Sequence, residues 1–348
     1  MYANRFRVLA IGIIAYGALA GATRGDDPTT PRAERLRFDA SKDAWSELPT
    51  PQPGTVDGDL AIARAFYADK AYRAARKTIR AWNKEYGESS EHYPAALLLD
   101  AQIEKALGHY DAAYDILIQL LEEFRRSESG REAVVEMFNI AEVYLGGVRR
   151  KFLGMRLLNA TDFAIQILDD IATQYPDTGI AEQALKTKAD FFHDKGDFGL
   201  AELEYGQLVR AHPNGRYDRY AQRRVADSAL ASFGGVLFDE RPLIEAEERY
   251  RSYAARYPGL AEQEGIGLIL AEVREKRAAK EFEIGAYYQR TRHPKAAAYY
   301  YQSTISHWPD TISATKAARA NASLAGLERD ATIKVIESAG TTNGDEKK

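Results

Sequence analysis

The chain has 348 residues, 45% of them hydrophobic and 28% charged, which is the composition of a globular protein and argues against wholesale disorder. Its 47 basic and 51 acidic residues give a net charge of −4, too close to neutrality to indicate a nucleic acid as the main partner. The sequence contains no cysteine, which excludes disulfides, thiolate metal sites and cysteine nucleophiles.

The N-terminal residues 1–22 predict a secretory signal peptide. Arg5 and Arg7 precede the apolar run Val8–Ala20, and small residues follow at Ala20 and Ala22. The run is shorter than the roughly 20 residues that a membrane-spanning helix needs. We therefore expect export with cleavage near Ala20 or Ala22, and an uncleaved anchor is the alternative.

Residues 23–59 predict a disordered linker, because five prolines stand among Thr, Asp and Gly and little apolar surface is available for burial. From Leu60 onward, Ala, Leu, Tyr and charged residues recur at helical spacing and strand signals nearly vanish. We assign residues 60–339 to a helical domain and residues 340–348 to a disordered tail.

Small residues recur through the helical domain in pairs 12 residues apart: Ala63 with Ala75, Ala101 with Ala113, Ala189 with Ala201, and Gly285 with Ala297. Ala141 and Ala164 form a further pair with a longer separation. Small side chains allow two helices to approach closely, and a bulky neighbour then fills the space beside the crossing. This pattern is typical of the tetratricopeptide repeat, a helix pair of about 34 residues. It predicts an all-α, right-handed superhelical tetratricopeptide-repeat solenoid of about five to six helix pairs.

Two helix pairs contain insertions, one between Ala141 and Ala164 and one between Ala226 and Ala246. Both insertions fall at the turn inside a pair, so we expect them to project from the same edge of the stack. The first concentrates positive charge beside an aromatic residue, in Arg149, Arg150, Lys151 and Phe152. We interpret these four residues as a candidate partner-binding edge, and a solvated loop is the alternative. Between Leu260 and Arg290 we expect one long helix.

A candidate peptide-binding groove follows from the repeat, because the first helix of each pair lines the concave side of such a stack. The residues beside the packing positions are Arg64, Tyr67, Gln102 and Lys105, followed by Phe138, Glu142, Lys186, Asp190, His193, Arg223 and Asp227. The first four suit a peptide that ends in an aromatic residue and a carboxylate. The alternative is a solvated face with charges of both signs.

No motif in the sequence points to catalysis. It has no phosphate-binding GxxxxGK[ST], no GxSxG and no HExxH, and its six histidines are dispersed. We therefore predict a non-enzymatic protein with no catalytic residue, metal or cofactor. The alternative is a lone catalytic glutamate on a helical solenoid, as in some peptidoglycan-cleaving enzymes.

The C-terminal half resembles the BamD family of outer-membrane β-barrel assembly factors. The resemblance rests on the aromatic pair Tyr287-Tyr288, the Ala-rich start of the next helix at Ala296–Ala298, and the aromatic-Pro-Asp-Thr ending Trp308–Thr311. It extends over Leu60–Leu327 and is strongest beyond Thr161. The sequence departs from the family at Arg290-Thr291-Arg292, where Arg-Gly is usual.

The resemblance implies a repeat adaptor in the periplasm, peripherally associated with the outer membrane. Its implied partners are the barrel-assembly channel protein and unfolded β-barrel substrates, with neither a nucleic acid nor a small-molecule substrate. Many relatives carry a lipid on a cysteine, whereas this sequence has no cysteine, so we expect no lipid anchor. An envelope scaffold associated with peptidoglycan or the Tol system is the alternative function.

Overall fold

The computed structural model describes residues 36–39, 44–47, 52–152, 155–236 and 238–342. It divides the chain into two compact units, Met1–Gly108 and His109–Lys348, which we call unit 1 and unit 2. The predicted signal peptide lies outside the described residues. No helix among the described residues has the length and apolarity needed to cross a membrane.

A short antiparallel hairpin lies in the segment that the sequence predicted to be a disordered linker. Strand β1 (Leu36–Asp39) pairs with β2 (Ala44–Glu47), and Phe38 lies opposite Trp45. Both are residue types that favour strands, and the expectation of an extended chain did not use this preference.

The described residues of unit 1 form three α-helices, α1 (Val56–Ala68), α2 (Tyr72–Glu85) and α3 (Tyr93–Ala106), and a short 3-10 helix, Gly87–Ser89. The first helix begins four residues before the predicted start at Leu60, because the Thr55 hydroxyl accepts a hydrogen bond from the Gly58 N–H and caps it. Trp82 on α2 is buried, and its indole N–H donates to the Val56 carbonyl oxygen at 2.8 Å. This bond ties α2 to the start of α1.

Unit 2 is a succession of helices in which each element packs against the next along the chain. The helices are α4 (Tyr110–Phe124), α5 (Glu128–Leu145), α6 (Thr161–Gln174), α7 (Gly179–Asp194), α8 (Phe198–Ala211), α9 (Asp218–Ala231), α10 (Arg241–Arg256), α11 (Pro258–Gln263), α12 (Ile266–Arg290), α13 (Pro294–His307) and α14 (Ile312–Thr342). Among the described residues, α1 and α2 form one helix pair within unit 1, and α5–α6, α7–α8, α9–α10 and α12–α13 form four pairs within unit 2, with α14 after the last of them. The all-α tetratricopeptide-repeat fold is confirmed. Helix α14 continues past residue 340, where the sequence predicted the disordered tail to begin.

The small residues of the repeat pattern are all buried. Nine of them are the alanines Ala63, Ala75, Ala101, Ala113, Ala141, Ala164, Ala189, Ala201 and Ala297, each no more than 1% exposed. The tenth, Gly285 on α12, is also buried, and the ring of Tyr301 on α13 lies directly against it. The positions that the spacing identified therefore have the small, buried side chains that a close helix crossing requires.

The first insertion, between α5 and α6, is a β-hairpin rather than an open loop. Strand β3 (Arg150–Phe152) pairs with β4 (Met155–Leu158) with a register irregularity at Arg150 and Lys151. The second insertion, between α9 and α10, is irregular, and the Lys280 ammonium on α12 donates to the carbonyl oxygens of Val236 and Phe238 within it. Both insertions lie inside a helix pair, where the sequence placed them.

The prediction of one long helix from Leu260 to Arg290 was wrong. Gly265 has φ +67°, a left-handed conformation that ends α11 and starts α12. Helix α12 then contacts α10, α13 and α14. The guanidinium of its Arg277 donates to Glu240 and to Glu247, at 2.7 and 2.6 Å. The Glu275 carboxylate accepts from the N–H groups of Ile312 and Ser313 and caps the start of α14.

Candidate binding surfaces

The four predicted groove residues all lie in unit 1, on two helices that contact each other. Arg64 is exposed on α1, and Tyr67 is half-buried on the same helix, with its ring centroid 5.7 Å from that of Tyr72. Gln102 and Lys105 are half-buried on α3. The four residues thus belong to a partly exposed, largely polar part of unit 1 that includes one aromatic ring.

The other predicted groove residues have different environments. Phe138 is 2% exposed, so its assignment to a groove was wrong: it is a core residue of α5. Glu142 is exposed on the same helix. His193 is half-buried, and burial together with the nearby charge of Arg224 lowers its pKa.

Four further predicted groove residues, Lys186, Asp190, Arg223 and Asp227, form two similar intramolecular clusters. In the pair α7–α8, the Lys186 ammonium lies 2.5 Å from Asp190, and the Tyr205 hydroxyl donates to the same carboxylate. In α9–α10, Arg223 lies 2.8 Å from Asp227, and the Tyr250 hydroxyl donates to that carboxylate at 2.7 Å. The cation, acid and tyrosine occupy equivalent repeat positions, at the same offsets from Ala189 and Ala201 and from Ala226 and Ala246.

Electrostatics supports a structural role for these clusters. Burial raises the pKa of Tyr250, and its hydrogen bond to Asp227 raises it further, so the hydroxyl stays a donor. Burial alone would lower the pKa of Lys186, but the hydrogen bond and charge of Asp190 raise it, so the ammonium stays charged. The charges of Lys186, Asp190, Arg223 and Asp227 are thus paired within unit 2.

The predicted partner edge is only partly available to a partner. Arg149 is exposed, but Arg150 lies 2.6 Å from the Asp111 carboxylate of α4, and its guanidinium carbon lies 3.8 Å from the ring centroid of Phe163. Arg150 therefore anchors the hairpin by an ion pair and a cation–π contact. The side chains of Lys151 and Phe152 lie outside the described part of the chain.

A surface that the sequence analysis did not single out lies on α12 and α13. We call Tyr287, Tyr288, Tyr299 and Tyr300 the tyrosine surface. The rings of Tyr288 and Tyr300 stack with an interplanar angle of 9° and a centroid distance of 5.5 Å. Tyr287 packs edge-on against Tyr288, and Tyr299 edge-on against Tyr300. Tyr287 and Tyr299 are 55% and 70% exposed, so a continuous row of rings reaches the solvent.

The tyrosine surface differs from the rest of unit 2 in its hydrogen bonding. Several buried tyrosine hydroxyls of unit 2 donate to side-chain acceptors, as Tyr205 does to Asp190, Tyr250 to Asp227 and Tyr301 to Gln289. Within the residues that the structure describes, the hydroxyls of the tyrosine surface have no such acceptor. The segment from residue 284 to residue 308 contains three basic residues, Arg290, Arg292 and Lys295, and no Asp or Glu. The acceptors for these hydroxyls must come from water or from a partner.

The run Tyr299-Tyr300-Tyr301 contains a signal that sequence reasoning could have used. Successive residues of a helix point about 100° apart, so three adjacent large residues cannot all face one core. Tyr301 occupies the repeat position and is 1% exposed, which forces Tyr299 to the outside. The repeat pattern identifies the bulky residue beside each helix crossing and does not identify which neighbouring aromatic residues are exposed.

Among the described residues, no group of three or more His, Asp or Glu side chains is arranged to hold a metal ion. The arrangement of the candidate surfaces, with exposed rings and paired charges, is suited to binding other proteins.

Comparison with solved structures gives helical repeat proteins at low similarity. The C-terminal part of a TPR repeat-containing protein from Cytophaga hutchinsonii is 13% identical, with 76% of this chain and 88% of that chain covered and a TM-score of 0.38. A tetratricopeptide repeat protein from Parabacteroides merdae is 13% identical, with 72% and 92% covered and a TM-score of 0.35. PilW, a type IV pilus biogenesis factor, is 18% identical, with 76% and 99% covered and a TM-score of 0.30. No curated protein sequence matches the chain.

Residues 155–327 match the sequence model of the family YfiO, described as an outer membrane lipoprotein. The matched segment begins in β4 and ends in α14, so it contains the repeated cation–acid–tyrosine clusters and the tyrosine surface. This agrees with the resemblance found from the aromatic pair and the aromatic-Pro-Asp-Thr ending. Over residues 155–327 the chain is therefore similar to this family of outer membrane lipoproteins.

Proposed function

We propose that the protein is a non-enzymatic periplasmic repeat adaptor that assists the assembly and insertion of β-barrel proteins into the outer membrane. The observation that carries the proposal is the tyrosine surface, which lies within the segment that matches an outer membrane lipoprotein family. A helical repeat protein with exposed tyrosine rings, whose hydroxyls have no side-chain acceptor within the described residues, is suited to binding a partner protein.

Exposed tyrosine rings can bury a large surface area when a partner protein binds. Tyrosine and arginine are enriched at the centres of protein interfaces, because a large rigid ring or fork buries much surface at little entropic cost. The rings of Tyr287 and Tyr299 are exposed and already ordered by their stacked neighbours. The positive charge of Arg290, Arg292 and Lys295 favours an acidic partner surface.

We assign this surface to the barrel-assembly channel protein of the outer membrane. Unfolded β-barrel substrates then bind the unit 1 residues Arg64, Tyr67, Gln102 and Lys105. Because the sequence has no cysteine to carry a lipid, binding to the channel protein supplies the peripheral membrane association.

Affinity capture tests the proposal. The tagged full-length chain is purified from envelope extracts, and the eluate is examined for the barrel-assembly channel protein by mass spectrometry. We expect co-elution with the parent chain and its loss with the double variant Tyr287→Ser, Tyr299→Ser. Leu268→Ser, at a residue 79% exposed on α12, is the matched control and should retain capture.

Absence of the channel protein from the parent eluate, with other envelope proteins captured instead, contradicts the barrel-assembly role. Capture that survives in the tyrosine variant places the partner on another surface of the chain.

A further inference from the structure

A cleft of about 610 Å³ lies between α8 and α10, with α9 beneath it. Its walls include Gly199, Leu203 and Gly206 from α8 and Arg249 from α10, and Val225 of α9 lies at its floor. The volume falls in the range of sites that hold a ligand or a few side chains of a peptide. The cleft is distinct from the tyrosine surface, which lies on α12 and α13.

Two glycines on α8 leave the cleft open, because no side chain projects into it at their positions. A Cβ built on Gly199 meets no heavy atom within 4 Å, so packing within the protein does not require glycine there. A Cβ on Gly206 would lie 3.2 Å from Nη1 of Arg210, so this glycine lets the guanidinium lie across the helix. Glycine destabilises a helix relative to alanine. The two glycines leave open the space that larger side chains would fill.

The apolar part of the cleft is exposed to solvent rather than covered by the protein. Leu203 is 57% exposed. Val209 and Val225 line the cleft between the helices. An occupant with an apolar side chain would remove this surface from water.

The polar part of the cleft carries excess positive charge. Arg256 is held in place by Asp218 and Asn214, at 2.8 and 2.9 Å. Arg249 is half exposed and lies 3.6 Å from Glu202, a loose ion pair. Arg210 has no ion pair within the described residues.

Glu202 is the acidic residue of the cleft lining. Burial and the neighbouring charge of Glu245 raise its pKa, and Arg249 offsets part of that rise. Of the three arginines in the lining, Arg256 is therefore paired with Asp218, whereas Arg249 is only loosely paired with Glu202 and Arg210 has no ion pair within the described residues.

We propose that this cleft binds a protein segment in which a carboxylate side chain stands next to an apolar one. The apolar side chain packs against Leu203, Val209 and Val225, and the carboxylate pairs with Arg249 and Arg210. Guanidinium and carboxylate form charge-assisted, geometrically specific pairs, which selects an acidic segment over a neutral one. This site would give the protein a second protein-binding surface beyond the one proposed above.

Fluorescence anisotropy of the full-length protein tests the site. The probe is a short fluorescein-labelled peptide of leucine, phenylalanine and glutamate, and its comparison is the same peptide with glutamine for glutamate. We expect saturable binding of the acidic peptide and an affinity at least about tenfold lower for the neutral one.

Two variants locate the binding. Gly199→Leu fills the cleft from an open position in the first turn of α8, and Arg249→Glu reverses the charge; each should reduce affinity about tenfold or more. Gly267→Leu is the matched control, because Gly267 also lies in the first turn of its helix with nothing within 4 Å of a built Cβ. It should bind like the parent.

No saturable binding of the acidic peptide overturns the proposal, and so does equal loss of affinity in Gly199→Leu and Gly267→Leu. The double variant Tyr287→Ser, Tyr299→Ser should bind the peptide normally. Loss of peptide binding in that variant places the peptide on the tyrosine surface and also overturns the proposal.

Discussion

Gly285 and Tyr301 fit together so closely that neither α12 nor α13 can be changed alone at this crossing. A Cβ on Gly285 would lie 2.7 Å from Cδ1 of the Tyr301 ring and 2.8 Å from Cε1. The tyrosine is 1% exposed and its hydroxyl donates to Gln289 at 2.6 Å, so the ring is held from both ends. This pair explains why glycine stands where the other repeats have alanine.

The Gly285→Ala variant should therefore be less stable than the parent. Glycine to alanine normally stabilises a helix by about 0.5–1 kcal/mol, but overpacking a filled core costs about 1–3 kcal/mol. We expect a lower urea midpoint for unfolding, measured by circular dichroism. Gly267→Ala on the same helix, where a Cβ meets nothing within 4 Å, should not lower the midpoint. An unchanged midpoint in Gly285→Ala would contradict the close crossing.

We predict that the buried Asp100 on α3 makes the folded protein less stable as the pH rises. It is 8% exposed, and burial followed by the charge of Glu104 raises its pKa from 3.8 to about 6 in the folded protein, partly offset by Arg80 and Arg76. A carboxyl with a raised folded pKa destabilises the fold as pH rises from about 4 to about 6, because the unfolded chain ionises more readily.

Asp100→Asn should accordingly be more stable than the parent at pH 7.5, by up to a value on the order of 3 kcal/mol, the equivalent of about two pKa units. The two proteins should be equally stable near pH 4. Urea unfolding at both pH values measures the difference, and a stability gain that is the same at both would show that charge is not its origin.

The repeated clusters predict that tyrosine hydroxyls contribute to stability where they bind a carboxylate. Tyr250 is 1% exposed and donates to Asp227 at 2.7 Å. Tyr250→Phe removes this bond and should lower the free energy of unfolding by about 1.5–3 kcal/mol, the range for hydrogen bonds to charged groups. Tyr299→Phe, at a residue 70% exposed, is the matched control and should have no measurable effect. Similar effects in the two variants would argue against the cluster.

We expect charge reversal at two neighbouring arginines of the segment between α5 and α6 to have different effects. Arg150→Glu places a carboxylate against Asp111, which is 2.6 Å from the present guanidinium, and should destabilise the protein. Arg149→Glu should leave the melting temperature unchanged, because Arg149 is exposed, and should slow association with an envelope partner. Surface plasmon resonance with the captured partner measures the rate. If Arg149→Glu binds as fast as the parent, the hairpin is not the partner edge.

Spacing in the sequence identified the repeat because close helix crossings demand small residues. Ala189, Ala201 and Ala297 are fully buried for this reason, and any larger side chain would separate the helices. The ends of the helices were harder to predict. The φ of +67° at Gly265 depends on how α11 meets α10, and one glycine does not reveal such a contact by itself.

Surfaces were less accessible to sequence reasoning than the core. Residues at the concave positions, such as Lys186 and Asp190, look available along the chain, yet folding pairs them with each other and with Tyr205. The converse holds for Tyr299, which belongs to an aromatic run typical of a core and faces the solvent. The i,i+4 spacing of Lys186 and Asp190 indicates their ion pair. The approach of Tyr205 from the next helix depends on distances in space, which periodicity does not specify.

Helix α12 connects three other helices of unit 2, α10, α13 and α14, through side-chain contacts. Its Arg277 holds Glu247 of α10, its Glu275 holds the first turn of α14, and its Gly285 receives Tyr301 of α13. Opening α12 breaks all three connections together, so these helices form one cooperative block for local unfolding. A ligand that rests on Tyr287 would therefore protect α10 and α14 from opening without touching either helix.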